Sequence, residues 1–170
     1  MPIIQSGQRL TPAALNALAA RPVYRTSDFA SHISSTTLAT DDVLALVVPA
    51  GTTWLVEFCL LVTGAGGNVK TQWLVPSGVS GTIRDCSGPD NTTGASDPGN
   101  LAASRHSGNT LTSDVIYATN STTNFVRIRE SAIVAVAGSS GTIAIRHAQA
   151  SSNATATIIR ARSWARFTQQ

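Results

Sequence analysis

The chain has 170 residues, only 12% of them charged and 5% aromatic, and a formal net charge of +3 at pH 7. A length of this order fits one domain with an appendage, large enough to bury roughly 70% of its unfolded surface without a metal or disulfide staple. The charged fraction is about half that of ordinary soluble domains, and the few aromatics do not interleave with basic residues as a nucleic-acid surface requires, so packing and assembly are favoured over catalysis or nucleic-acid binding. In chain order, the first element is the stretch Gly7–Pro22, "GQRLTPAALNALAARP", which reads as a short helix. Thr11 can cap it, Pro12 suits the first helical position, Leu10 can staple onto Leu15, and the residue before Pro22 avoids helical dihedrals. A helix of about nine residues is not stable alone in water, so its apolar side chains, Leu15 and Leu18, need a partner surface. Residues 1–40 are therefore expected to form an N-terminal arm, with Leu10, Thr11, Pro12, Leu15 and Leu18 docking on another protein. Residues 23–40 read as an extended connector or a first edge strand.

From Asp41 the apolar period changes to two, and residues 41–170 are expected to form an all-β antiparallel sandwich of the jelly-roll type with about eight strands. The segment 41–64 gives two strands around the turn Pro49-Ala50-Gly51. In the second, Trp54, Val56, Phe58, Leu60 and Val62 share one face, and Leu55, Glu57, Cys59 and Leu61 the other. A sandwich strand needs only one covered face, so the second apolar face points to subunit contacts. Glu57 on that face needs a partner, for which arginine is the obvious candidate. Further strands are expected in "NVKTQWLVP" and "GTIRDC", followed by some two dozen polar residues up to Thr110 that read as a long loop. Strand character returns in "LTSDVIYAT", "NFVRIRESAIVAVAG", "GTIAIRHAQA" and "ATATIIRARSWARF". The last alternates Ile159, Ala161, Ser163, Ala165 and Phe167 with Arg160, Arg162, Trp164 and Arg166. The second set has the composition of a protein interface. Eleven of the twelve basic residues are arginine, and six of these lie between Phe125 and Gln170 against the single acid Glu130. That bias suits inter-subunit contacts.

No chemistry of a catalytic or metal-binding kind is spelled out. His32, His106 and His147 are widely spaced, and no His-x-x-x-His or Cys-x-x-Cys pairing is present. His147, in step with Ile143 and Ile145, reads as a packed or interface histidine. Ser107, His106 and Asp114 do not form a nucleophile motif, and no Gly-x-Ser-x-Gly occurs. Asp90–Asn100 offers oxygen ligands, but without calcium-loop spacing. Neither a cofactor nor a metal is expected. Two cysteines, Cys59 and Cys86, are too few for a disulfide framework. The N-terminus lacks a signal-peptide layout, and the longest apolar run is far too short for a membrane span. Synthesis in a cytoplasm is expected, with no membrane partner.

Both ends of the chain resemble known proteins. "GTIAIRHAQASSNATATIIRARSWARF" resembles the closing hairpin of trimeric jelly-roll modules like those of tumour necrosis factor and the complement globular heads, in the version found in tailed-bacteriophage virion proteins. The matching residues are Gly141-Thr142, Ala148-Gln149, Ser151-Ser152-Asn153 and Ser163-Trp164. The family pattern has an aromatic before Ala-Gln and a glycine before Ser-Trp, where this chain has His147 and Arg162. "GQRLTPAALNAL" is similar to the Gly-x-x-Leu-Thr-x-x-x-Leu-Asn opening of many phage head and tail proteins. What the resemblance implies is a homotrimer on the exterior of a phage head, a non-enzymatic capsid decoration protein made in the host bacterial cytoplasm. The arm would dock on the major capsid protein or another virion protein. Leu55, Glu57, Leu61, Arg160, Arg162, Trp164 and Arg166 would form the trimer interface. The alternative is a tail-tip knob whose partner is a host-surface glycan, bound by the loop 85–112.

Overall fold

The computed structural model describes residues 21–29, 32–79, 83–89 and 103–170. The described residues form β-strands and no helix: β1 (Arg21–Tyr24), β2 (Ala39–Val48), β3 (Thr52–Ala65), β4 (Val69–Leu74), β5 (Ile83–Pro89), β6 (Ala103–Thr110), β7 (Val115–Tyr117), β8 (Asn120–Val136), β9 (Gly141–Gln149), β10 (Ile158–Ile159) and β11 (Trp164–Gln169). A seven-stranded sheet runs in the order β1-β11-β3-β8-β5-β6, with β10 also pairing with β3; a four-stranded sheet runs β2-β9-β4-β7. Every pairing is antiparallel. The two sheets pack face to face, so the all-β sandwich expected from the period-two patterning is the architecture found. The expected helix, with Leu10, Thr11, Pro12, Leu15 and Leu18, lies outside the described residues, as does the stretch 90–102 with its oxygen ligands.

The core follows from strand alternation. Trp54, Val56, Phe58, Leu60 and Val62 of β3 point inward beside Ile128, Ala132, Val134 and Val136 of β8 and Ala165 and Phe167 of β11. They meet Leu44 and Val48 of β2, Val69 and Trp73 of β4, Val115 and Tyr117 of β7, and Ile143 and Ile145 of β9. Phe58 makes edge-on contacts with Trp73, at a centroid distance of 4.8 Å, and with Phe167, at 5.9 Å. The Phe58–Trp73 pair joins the two layers, and edge-to-face pairs of this kind contribute beyond the area they bury. Cys59 and Cys86 are both free thiols and buried. They sit on opposite faces of the seven-stranded sheet, and burial together with the nearby Glu130 charge pushes the Cys86 thiol up to about 11.

Three expectations are corrected. The polar run up to Thr110 is not one loop, because Ala103–Thr110 pairs with Ile83–Pro89 as a hairpin at the sheet edge. "AASRHSGNT" has no apolar alternation to announce a strand, and backbone pairing to β5 decides it. The last expected strand is two. Arg162 adopts a left-handed backbone (φ 71°), and the chain breaks its ladder between Ile159 and Trp164. The Ser163 hydroxyl fills the gap, accepting from the Leu61 amide at 2.9 Å and donating to the Arg160 carbonyl at 2.8 Å. Of the expected inner face, Ile159, Ser163, Ala165 and Phe167 are buried, whereas Ala161 lies in the turn and is half-buried. Finally, the strands number more than eight, through the β5–β6 hairpin and the split of the last strand. Within the expected arm 1–40, Arg21–Tyr24 forms an edge strand, β1, beside β11, and β2 already begins at Ala39, so residues 21–24 and 39–40 belong to the sheets.

Candidate functional site

The residues expected at a subunit interface converge on the outer face of the seven-stranded sheet. Cross-strand register aligns Tyr24, Trp164, Cys59, Arg129 and Ser87 in one row. The adjoining row holds Arg166, Glu57, Ser131 and Asp85, and Leu55 is opposite Ile133 in the next. Leu55, Glu57, Leu61, Trp164 and Arg166 therefore share a surface, while Arg160 and Arg162 lie in the turn that leads into it. Large apolar side chains stay open to solvent there: Tyr24 is 65% exposed, Ile83 60%, Ile133 58% and Phe125 57%. An antiparallel face left to water normally carries polar residues. This one carries aromatics, branched aliphatics and arginines.

Two of its arginines have carboxylate partners within the chain. Arg166 sits directly across from Glu57, and its Nε donates to Glu57 Oε2 at 2.5 Å, with Nη2 on the same oxygen. Glu57 thus has the arginine partner its position requires, supplied by the neighbouring strand. Arg160 pairs with Asp28 at 2.9 Å, and Asp28 also accepts from the Ala161 amide at 2.7 Å. Hollows lined by described residues open on the face: about 230 Å³ between Trp164, Glu57, Asp85 and Arg129, about 570 Å³ between Leu55, Ile83 and Ile133, and about 360 Å³ between Pro22, Tyr24, Arg162 and Trp164.

Two buried polar clusters stand behind this surface, and neither is legible as a motif. In the first, Glu130 enters the core on the inward side of β8, where its parity matches Ile128, Ala132 and Val134. Its carboxylate accepts from Trp73 Nε1 at 2.5 Å, Arg84 Nη1 at 2.8 Å and Tyr117 Oη at 2.9 Å, and also from Thr71 Oγ1. Arg84 is fully buried and further donates to the Ser113 and Thr71 carbonyls. Gly88 makes room for the Tyr117 ring, since a Cβ there would lie 2.6 Å from Tyr117 Cδ1. Burial, and then the Glu130 charge, push the Tyr117 phenol far upward, so it remains a donor. The signal available in the sequence was an acid placed in step with apolar neighbours.

In the second cluster, His32 and His147 meet at 2.9 Å, Nε2 to Nδ1, although 115 residues separate them. His147 Nε2 faces Asp41 Oδ2 at 3.8 Å. Arg25 Nη1 donates to Asp41 Oδ1 at 2.6 Å, and the same oxygen accepts the Val43 and Leu44 amides, each at 3.0 Å. Asp41 is held below the ordinary carboxylate range: burial alone would raise it, but His147, the Leu44 amide and Arg25 outweigh that. Phe29 stacks on His32 and meets His147 edge-on, and the Arg25 guanidinium lies 5.0 Å from the Phe29 ring centre. His147 is thus the packed histidine its parity implied; His32 had no sequence signal, because only the fold brings it there. Among the described residues, no group of three or more His, Cys, Asp or Glu side chains is placed to hold a metal ion. Asp114 pairs with Lys70 at 3.5 Å. No family model matches the chain, and neither a curated protein nor a solved structure is significantly similar to it.

Proposed function

We propose that this chain is a non-enzymatic structural protein that assembles with copies of itself through the outer face of the seven-stranded sheet. The observation that carries the reading is that face: exposed Tyr24, Phe125, Ile83 and Ile133 around the paired Glu57 and Arg166. Aromatic and arginine side chains are what interface cores select, and an apolar surface left to water is a solubility liability. The finer fold reading is a jelly roll. With the β5–β6 hairpin and β10 set aside, the remaining eight strands run first-eighth-third-sixth in one sheet and second-seventh-fourth-fifth in the other, the order of two interlocked Greek keys. This order supports the resemblance at the C-terminal hairpin. With the phage-like opening, it leads to a homotrimeric capsid decoration protein on the exterior of a phage head. Of the expected arm, residues 1–40, the part before β1 would reach the shell, and Leu55, Glu57, Leu61, Arg160, Arg162, Trp164 and Arg166 would contribute to the trimer contacts.

Light scattering on the purified chain tests the assembly. The expected mass is three chains at micromolar concentration, falling to one chain in Ile133→Arg without a change in the circular dichroism spectrum. A wild-type monomer, or an Ile133→Arg trimer, would remove the proposed interface. A second reading, a glycan-binding knob, draws support from the hollow in which Trp164 stands beside Glu57, Asp85 and Arg129, an aromatic platform with hydrogen-bonding neighbours. It predicts a monomeric face that binds sugars, and glycan-array binding lost in Trp164→Ala would favour it over assembly.

A further inference from the structure

The histidine pair sits where a short stretch of chain is fastened to the end of the sandwich. His32 exchanges backbone hydrogen bonds with Thr157, at 3.1 and 3.0 Å. Ser34 donates to the Asn153 carbonyl at 2.9 Å, and the Gln149 amide donates to the Ser35 carbonyl at 3.2 Å. Few apolar contacts hold the stretch: Ile33 is 55% exposed. The inward anchor is the His32 ring, inserted against His147 and Phe29.

Proton accounting for the pair is restrictive. The Asp41 carboxylate facing His147 Nε2 favours a proton there, which leaves His147 Nδ1 as the acceptor and His32 Nε2–H as the donor of the 2.9 Å bond. A first added proton leaves that bond intact, because one nitrogen still accepts. It does place new positive charge in a buried site where Arg25 already offsets Asp41. A second proton leaves two N–H groups facing each other across 2.9 Å, which no arrangement of the closed rings can satisfy. The charged and titratable groups packed against the rings are Arg25, from the stretch after β1, Asp41 of β2 and His147 of β9. None of them accepts the second proton's hydrogen bond in place of the partner ring.

We propose that His32 and His147 form an acid-sensitive latch: closed while the neutral pair has taken up at most one added proton, and opened by the second, which releases His32–Ser35 from the 149–157 turn. Arg25 and Asp41 remain clamped, so the release is local and β1 stays on its sheet. The sign follows from the protonation equilibria. In the closed form, burial first and the His147 charge second hold His32 down to about 4, whereas a solvated histidine titrates near 6.5. The open form therefore binds more protons. The closed form keeps its full advantage above about pH 6.5 and loses it progressively as the pH falls toward 4. The latch is independent of the assembly reading, and a chain that proves monomeric would still carry it.

The test is residue-resolved amide exchange by NMR on the full-length chain at pH 7.0 and 4.5, each rate divided by its intrinsic value. The amides of His32 and Ser34 are expected to lose more than tenfold of their protection at pH 4.5, while those of β3 and β8 do not change. In His32→Phe, which keeps an aromatic ring but cannot titrate, the loss is expected to vanish. Equal protection of His32 and Ser34 at both pH values would overturn the latch, as would an acid response that persists in His32→Phe. If that variant does not fold, the wild-type ring decides. Side-chain nitrogen shifts of His32 should titrate well below 6, and a midpoint near 6.5 with unchanged protection would also overturn the proposal.

Discussion

Glu130 is the residue on which most of the buried polar structure depends. Four side chains from three strands aim donors at its carboxylate, and one of them, Arg84, is a fully buried cation. Replacing a buried ion pair by apolar groups is often neutral, but removing one member leaves the other charge stranded. Glu130→Ala is therefore expected to cost about 3–5 kcal/mol in urea unfolding. Tyr117→Phe, which removes one of four donors and leaves the charge pair intact, is expected to cost about 1.5–3 kcal/mol. Equal losses in the two variants would show that the charge pair contributes nothing beyond its hydrogen bonds. The position of Glu130 was partly legible: a carboxylate in step with Ile128, Ala132 and Val134 on one strand face belongs inside. Its partners were not, because Thr71, Trp73, Arg84 and Tyr117 come from β4, β5 and β7 and meet only when the two sheets close.

Among the elements, β3 and β11 carry the candidate interface. β3 spans 14 residues and pairs along its length with β8 on one side and with β10 and β11 on the other. Its two-faced apolar pattern was readable because alternation fixes which side chains share a face. The break before β11 was not readable. Alternation passes unbroken through Arg160–Ser163, and only the ladder with β3 reveals that Ser163 replaces a backbone partner while Arg162 turns left-handed. A non-glycine residue in that region costs roughly 1–2 kcal/mol relative to its preferred conformation, and glycine does not. Arg162→Gly is expected to raise stability by up to about 1 kcal/mol, read as an increase of a few degrees in the melting temperature. A fall in melting temperature would mean that the Arg162 side chain has a stabilising partner that outweighs the backbone strain.

For the molecule as a whole, the strands from Arg21 onward already form both sheets and enclose the core. The proposed docking role falls to the residues before them. Removal of residues 1–20 is expected to leave the melting temperature and the light-scattering mass unchanged while abolishing co-sedimentation with phage capsids. Retained co-sedimentation would refute the arm as the docking element, and a lower melting temperature would show that the sandwich needs it.

The sequence by itself determined that this protein is built from antiparallel strands, which side chains of β3 and β11 point inward, and that one sheet face is apolar on its solvent side. All of these follow from period-two alternation, a local property of each strand. The tertiary structure alone decided that Glu57 finds its arginine on the adjoining strand and that Glu130 collects donors from three other strands. It alone brought His32 and His147 together. Those contacts join segments far apart in the chain, and their geometry is set by strand order and sheet packing, which no local pattern encodes.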